Sequence, residues 1–247
     1  MKVAVAFGGG AVLGAAHVGV LKALIEHGFD IQAVSGTSIG SMIASLYAFD
    51  HNPEKVEELA IELSWKDITT FSFSKYGLLS NDSLGSWVKE HIGDVQIEDA
   101  SIPLHIVATD IENGEKLFLN KGSLATAIQA STCIPGLFRP VEWEGKMLVD
   151  GGIVENVPIS PLSKSEDLKI IAIDLNAKQQ YAKPSNVVDV LVNSFHFTLA
   201  TRAVMQAEKA DILISPDLSA FNRYDPKQSK ALIKKGYETA IEALKDL

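Results

Sequence analysis

Short apolar runs alternate along this chain with longer segments in which apolar residues recur at helical spacing. The apolar runs predict strands at Lys2–Phe7, Ile31–Ser35, Leu104–Thr109, Lys116–Asn120, Met147–Val149, Lys169–Leu175 and Asp211–Ile214. The periodic segments predict helices at Leu13–His27, Ser41–Ala48, Pro53–Ser64, Ser123–Ala130, Asn186–Lys209 and Asp225–Leu247. Because strands and helices alternate, we expect an α/β fold, a three-layer α/β/α sandwich with a mostly parallel central sheet.

The chain contains no internal repeat and no linker rich in Pro, Gly or Ser, so residues 1–247 are expected to form a single domain. The segment Trp65–Ser86 is the least regular, with aromatic and leucine side chains among Ser, Thr and Gly. Two interpretations of it stay open. It is either a lid or pocket wall beside an active site, or a loop whose aromatics cover the domain edge.

Composition narrows the classes of function. The net charge of −9 and the absence of a basic cluster argue against a nucleic-acid partner, but leave shallow apolar contact with a lipid interface open. A single cysteine, Cys133, excludes an intrachain disulfide and suits a reducing compartment. The apolar start is broken at once by glycines, so we interpret it as a strand rather than a signal peptide and expect a cytoplasmic protein.

The most informative motif is Gly36-Thr37-Ser38-Ile39-Gly40, which stands between a predicted strand and a predicted helix. This G-x-S-x-G pattern in this setting is the signature of a nucleophile elbow. Gly36 and Gly40 keep side chains out of a tight turn, so the Ser38 hydroxyl can project at a helix N-terminus. There, unpaired N–H groups and the helix dipole favour developing negative charge.

A second glycine motif, Gly8-Gly9-Gly10-Ala11, directly follows the first strand. Such a loop presents backbone N–H groups in one direction, which suits a phosphate or the oxyanion of a tetrahedral intermediate. A dinucleotide fingerprint G-x-G-x-x-G fails here, because Leu13 stands where Gly or Ala is needed. A P-loop is excluded because no Gly-Lys-Ser/Thr follows.

The third motif is Asp150-Gly151-Gly152 at the end of a short strand. Aspartates also end two other predicted strands, at Asp110 and Asp174, but only Asp150 is followed by glycines that let a second backbone approach. Taken alone, Asp150 is equally well explained as a loop-capping residue or as a catalyst.

These three motifs, in this order, resemble the patatin-like phospholipase family. The resemblance covers about residues 3–160. The segments that flank the motifs extend it, namely Gly14–Leu24, Val107–Asp110 with Gly114-Glu115, Ala127–Ser131 and Ile134–Phe138.

The resemblance implies a serine hydrolase with a Ser–Asp dyad, acting on acyl esters such as phospholipids, lysophospholipids or neutral acylglycerols. Ser38 would attack the ester carbonyl, and Asp150 would accept its proton and later activate water. The N–H groups of Gly9, Gly10 and Ala11 would form the oxyanion hole, with Gly8 shaping the turn. No cofactor and no metal are implied.

Two positions depart from the family pattern. Ala11 stands where most similar bacterial members have a third glycine, although it still supplies an N–H. Leu13 stands where they have Arg or Lys, which removes a cation near the anionic centre and favours neutral esters or thioesters. Arg139, which precedes Asp150, is one candidate to replace that cation; a surface ion pair is the competing interpretation.

Two other functions remain open. In α/β-hydrolase order, Ser38, Asp174 and His196 could form a triad, although His196 falls in a predicted helix and only two strands precede Ser38. In a non-hydrolytic phosphate- or nucleotide-binding module, the glycine loop would hold the ligand and Ser38 would cap a helix. His17, beside the glycine loop, could line the site, but a packed or solvent-facing helix residue is the favoured interpretation.

Overall fold

The computed structural model describes residues 1–63, 70–163, 168–178, 183–207 and 209–245. Its strands are β1 (Lys2–Phe7), β2 (Asp30–Thr37), β3 (Thr70–Ser74), β4 (Gly77–Ser80), β5 (Leu104–Asp110), β6 (Glu115–Leu119), β7 (Gly136–Phe138), β8 (Val141–Trp143), β9 (Lys146–Asp150), β10 (Lys169–Ile173) and β11 (Ile212–Ile214). Its α-helices are α1 (Ala15–Glu26), α2 (Ile39–Ala48), α3 (Pro53–Glu62), α4 (Asp82–His91), α5 (Leu124–Ser131), α6 (Val187–Ala207) and α7 (Ser229–Leu244).

The central sheet has the strand order β11-β10-β1-β2-β5-β9-β8, and β6 also pairs with β5. The pairs from β11 to β5 are all parallel, whereas β6, β8 and β9 join the sheet in antiparallel pairs. Helices flank this sheet, so the predicted α/β class with its mostly parallel central sheet is confirmed. The carboxyl ends of β1, β2 and β10 lie together, which is where open α/β sheets place their ligand sites.

Alternation along β1 divides the core between the two faces of the sheet. Val3, Val5 and Phe7 belong to the large cluster formed with the helices, while Ala4 and Ala6 face a smaller cluster. On that second face the small alanine side chains let the chain around Val157–Leu162 pack closely on the sheet. None of the described helices is long and apolar enough to cross a membrane.

Several predicted elements need adjustment. The helix expected at Leu13–His27 begins as a 3₁₀ turn at Ala11–Gly14 and becomes α-helical at Ala15. Residues 65–69 of the segment predicted to be irregular, Trp65–Ser86, lie outside the described residues, as does the last residue of the helix predicted at Pro53–Ser64. The rest of the irregular segment forms the hairpin β3–β4 and the start of α4. The hairpin continues into a second, three-stranded sheet through the parallel pair β4–β7.

Candidate active site

Ser38 occupies a sharp turn between β2 and α2. Its backbone has φ +53° and ψ −129°, a conformation that L-residues rarely adopt and that functional sites tolerate. A Cβ on Gly36 would lie 2.3 Å from Ser41 Cα, and one on Gly40 would lie 2.1 Å from the Phe7 carbonyl oxygen. Both flanking positions therefore require glycine for close backbone approach, as the elbow motif predicts.

The nucleophile elbow is stabilised by hydrogen bonds to Ser131, a residue that the sequence motifs did not identify. The Ser38 N–H donates to Ser131 Oγ at 2.9 Å, and the Ser131 hydroxyl donates to the Val107 carbonyl at 2.7 Å. Ser131 thus connects the nucleophile turn to β5. The sequence signal for it is faint, because a buried serine ending an apolar helix usually bonds its own backbone.

Asp150 ends β9 and is fixed through its backbone. Its N–H donates to the Cys133 carbonyl at 2.8 Å, and its carbonyl accepts from Thr109 Oγ1 at 2.9 Å. A Cβ on Gly151 would lie 2.2 Å from the Val107 carbonyl oxygen, so the expected close approach of a second backbone occurs here. The Gly152 N–H donates to Asp150 Oδ1 at 2.8 Å.

The Asp150 carboxyl group is 1 % exposed, and burial raises its pKa from 3.8 to about 7. Hydrogen bonds from the Gly152 N–H and the Ser38 hydroxyl act in the opposite direction and lower this pKa. Within the described part of the chain, Oδ2 has no partner of regular hydrogen-bond geometry. Catalytic hydrogen bonds are often long before substrate binds, so a loose Ser38–Asp150 contact fits a proton acceptor at rest.

The first half of the glycine loop is occupied by hydrogen bonds to the protein itself. Gly8 N–H donates to the carbonyl that ends β10 at 3.1 Å, and Gly9 N–H donates to the Asn156 carbonyl at 3.2 Å. On the other side of the loop, the Gly8 carbonyl lies 2.7 Å from Nε2 of the buried His17. Because burial lowers the pKa of His17 to about 4, the ring is neutral and donates from Nε2. His17 is therefore a packed residue that holds the loop.

The second half of the loop leaves its donors available. Among the described residues, neither Gly10 N–H nor Ala11 N–H finds an acceptor, and both residues line the cavity that also contains Ser38 and Asp150. Ala11 has φ +52°, the left-handed region where glycine is favoured. Of the three N–H groups expected to bind the oxyanion, that of Gly9 is already bonded to Asn156, so only those of Gly10 and Ala11 are available.

The cavity extends from Ser38 along α2 and is mainly apolar. It encloses about 1050 Å³, the open space at its mouth included. Its apolar side chains come from α2, α3, α4, α6 and neighbouring segments, namely Ile39, Met42, Ile43, Leu46, Leu59, Ala60, Leu63, Leu84, Trp87, Ile134, Phe138, Phe195 and Leu199. The described lining contains no Lys and no Arg.

The alternative triad is not assembled. His196 does line the cavity, but the Asp174 carboxylate accepts from the Asn176 backbone N–H at 2.8 Å and makes no hydrogen bond to His196. Burial, reinforced by the charge of Arg223, lowers the pKa of His196 to about 3, which makes this ring a weak base. No three His, Cys, Asp or Glu side chains are grouped as metal ligands in the described ranges.

Arg139 does not replace the missing cation. Its guanidinium pairs with the exposed carboxylate of Asp82 at 3.2 Å, at the start of α4, so the surface ion pair is the correct interpretation. Cys133 is fully buried, and burial together with the Asp150 charge raises the pKa of its thiol. A thiol held in this form is unreactive.

Comparison with known proteins shows which family the chain matches. The family model for patatin-like phospholipases matches residues 5–163. An uncharacterized NTE family protein of Mycobacterium tuberculosis is 35 % identical over 181 residues, which cover 72 % of this chain and 50 % of that protein. The lysophospholipase NTE1 of Meyerozyma guilliermondii is 32 % identical over 195 residues, which cover 76 % of this chain and 14 % of that protein. The chain thus spans half or less of these relatives.

Solved structures show the same fold at low identity. VipD from Legionella pneumophila superposes with a TM-score of 0.67 at 15 % identity, covering 99 % of this chain and 66 % of that one. The type III effector ExoU of Pseudomonas aeruginosa superposes with a TM-score of 0.55 at 13 % identity, covering 99 % and 53 %. The match over residues 5–163, together with the relatives above, establishes that this chain belongs to the patatin-like phospholipase family.

Proposed function

We propose that this protein is a serine acyl-ester hydrolase of the lysophospholipase or phospholipase A type, working through Ser38 and Asp150. One observation carries the proposal. A serine in a strained elbow and a buried carboxyl group with a pKa of about 7 line the same apolar cavity. Membership of the patatin-like family and similarity to a protein named lysophospholipase support a lipid ester as substrate.

In the acylation step, Ser38 Oγ attacks the acyl carbonyl while its proton passes to Asp150. The raised pKa suits this role, because a general base is most effective when its pKa lies near the working pH. The carbonyl oxygen gains negative charge, and the Gly10 and Ala11 N–H groups stabilise this oxyanion by donating hydrogen bonds to it. Collapse of the tetrahedral intermediate breaks the ester bond, and the leaving alcohol takes the proton from Asp150.

Deacylation repeats the sequence with water. Asp150 removes a proton from water as the oxygen attacks the acyl-Ser38 carbonyl, and the proton then returns to Ser38 Oγ as the fatty acid leaves. No histidine enters either step. The same acyl-enzyme would serve a transferase if another alcohol replaced water.

The apolar lining of the cavity supports the proposal that the enzyme recognises the acyl chain of its substrate. From Ser38 to Leu46 the cavity follows about 12 Å of α2, at the rise of an α-helix. Since the described lining has no cation, it provides no pairing for a phosphate, and neutral acylglycerols fit as well as lysophospholipids.

We also propose that substrate reaches the site from a lipid interface. Helix α6 exposes Val187, Val190, Leu191 and Phe197, while Phe195 and Leu199 of the same helix line the cavity. Exposed apolar side chains next to a lipid-binding cavity are favourable at a membrane surface. The net charge of −9 predicts that this contact does not need anionic lipid.

The test is hydrolysis of p-nitrophenyl butyrate and release of fatty acid from monoacylglycerol and lysophosphatidylcholine. Wild type and His196→Ala should be active on at least one lipid, whereas Ser38→Ala and Asp150→Asn should be inactive. Loss of activity in His196→Ala with retention in Asp150→Asn would favour the triad. A folded wild type without activity would favour the binding module.

A further inference from the structure

A series of buried, hydrogen-bonded polar side chains leads away from the glycine loop. The Gly9 carbonyl accepts a hydrogen bond from Asn176 Nδ2 at 2.7 Å. The Asn176 Oδ1 atom in turn accepts from Arg223 Nη2 at 3.1 Å. Asn176 is 2 % exposed and Arg223 is 5 % exposed, so the cation and the amide lie inside the protein.

Both residues are themselves anchored. Burial raises the pKa of Asp174, and hydrogen bonds from the backbone and side chain of Asn176 counteract this rise. Asp174 therefore holds Asn176 in place, with its Oδ1 2.8 Å from the Asn176 N–H. Arg223 is also bonded to the turn that follows the loop, because its backbone carbonyl accepts from Val12 N–H at 3.2 Å.

The bonded carbonyl belongs to the same peptide unit as one of the proposed oxyanion donors. In a planar trans peptide, C=O and N–H point in opposite directions. The bond from Asn176 to the Gly9 carbonyl therefore directs the Gly10 N–H away from Asn176, toward the cavity that Gly10 lines. Hydrogen bonds in series polarise one another, and a cation at the end of the series strengthens this effect.

We propose that Asn176 and Arg223 are positioning residues that orient and polarise the Gly9–Gly10 peptide for the oxyanion. Position 13 carries no positive charge, since Leu13 is a buried apolar residue. Arg223, near the C-terminal end of the sequence, supplies a positive charge to the glycine loop through Asn176 instead. The inference rests on the proposed function, because an oxyanion forms only if Ser38 attacks a carbonyl.

The decisive variant is Asn176→Asp. It keeps the size of the side chain and its interaction with Arg223, but puts an acceptor in place of the donor to the Gly9 carbonyl. Arg223→Met removes the charge and keeps an unbranched apolar stem. The double variant Asn176→Asp/Arg223→Met completes a double-mutant cycle. Arg139→Met is the matched control, because that arginine pairs with exposed Asp82 outside the chain of hydrogen bonds.

Each variant is assayed for kcat and KM on p-nitrophenyl butyrate and for inhibition by a trifluoromethyl ketone, which forms an oxyanion on the serine. Misdirecting one donor should lower kcat about 10–100-fold, somewhat less than deletion of a donor. KM should stay unchanged, and Ki for the ketone should rise by the same factor as kcat/KM falls. The loss of kcat in the double variant should be smaller than the product of the two single losses, and Arg139→Met should match wild type.

Three results would overturn the inference. The first is a folded Asn176→Asp with wild-type kcat and Ki. The second is a KM that rises by the same factor by which kcat/KM falls, with kcat unchanged. The third is full additivity in the double variant. If Arg223→Met does not fold, Arg223→Lys replaces it and should retain more kcat than Asn176→Asp. Failure of the proposed function is distinguishable, because wild type would then lack Ser38-dependent activity altogether.

Discussion

Replacing Asp150 by Asn should abolish activity and at the same time stabilise the fold. The wild-type carboxylate is desolvated, with Gly152 N–H as the regular hydrogen-bond partner of Oδ1 and none for Oδ2 among the described residues. Asn keeps an oxygen for the Gly152 N–H but carries no charge. The charge that the mechanism needs is therefore a cost to stability, as is common at active sites.

The magnitude follows from the pKa. The folded-state pKa of Asp150 is about 7, above the ordinary value of 3.8, so the folded protein retains the proton between these values while the unfolded chain has lost it. Stability conferred by the protonated group is complete below pH 3.8 and is lost as pH rises to 7. At pH 8 the cost is at most about 4 kcal/mol at 1.36 kcal/mol per pKa unit, and at pH 5 it is about 1.5 kcal/mol.

The assay is urea unfolding of wild type, Asp150→Asn and Ser38→Ala at pH 5 and pH 8. Asp150→Asn should exceed wild type in free energy of unfolding, and its advantage should grow by up to about 2.5 kcal/mol between the two pH values. Ser38→Ala is the inactive control that keeps the carboxylate. Because it removes a hydrogen bond that lowers the pKa of Asp150, the pH dependence of its stability should be at least as steep as that of wild type. An Asp150→Asn variant that is less stable than wild type at pH 8, or a pH-independent difference, would refute the reasoning.

Three further predictions concern the base, the cavity and the elbow. The value of kcat/KM should rise with pH through about 7 in both wild type and His196→Ala, as the proposed base loses its proton; loss of the inflection in His196→Ala would contradict this assignment. Ala60→Phe should narrow the cavity, lowering hydrolysis of p-nitrophenyl decanoate but sparing the butyrate, and equal effects on both esters would argue against an acyl site. Gly40→Ala should destabilise the protein by more than about 3 kcal/mol in thermal or urea unfolding, because its Cβ meets the Phe7 carbonyl at 2.1 Å; near-wild-type stability would mean that the elbow relaxes.

The sequence was sufficient for the parts of the site that depend on local backbone geometry. The elbow at Ser38 and the turn after Asp150 need glycine at fixed spacing, and the sheet alternates with helices along the chain. These features are visible without knowing the tertiary contacts. The oxyanion donors were predicted only as a group, because it takes the bonds of Gly8 N–H and Gly9 N–H to the fold to show which donors remain.

Residues that act from a distance in sequence could not be predicted. Asn176 lies 167 positions from Gly9, and Arg223 lies another 47 positions on, so no local pattern relates them. Helix α4 was missed for a different reason. It buries only Leu84, Gly85 and Val88, a narrow stripe in a polar segment.

The roles of Ser38 as nucleophile and Asp150 as base are tested most directly by locating the adduct of a fluorophosphonate probe by mass spectrometry. We expect a single phosphonylated residue, Ser38, in wild type and in His196→Ala, with much slower labelling of Asp150→Asn at the same probe concentration. Labelling at another residue, an unlabelled wild type, or loss of the adduct in His196→Ala with full labelling of Asp150→Asn would contradict these roles.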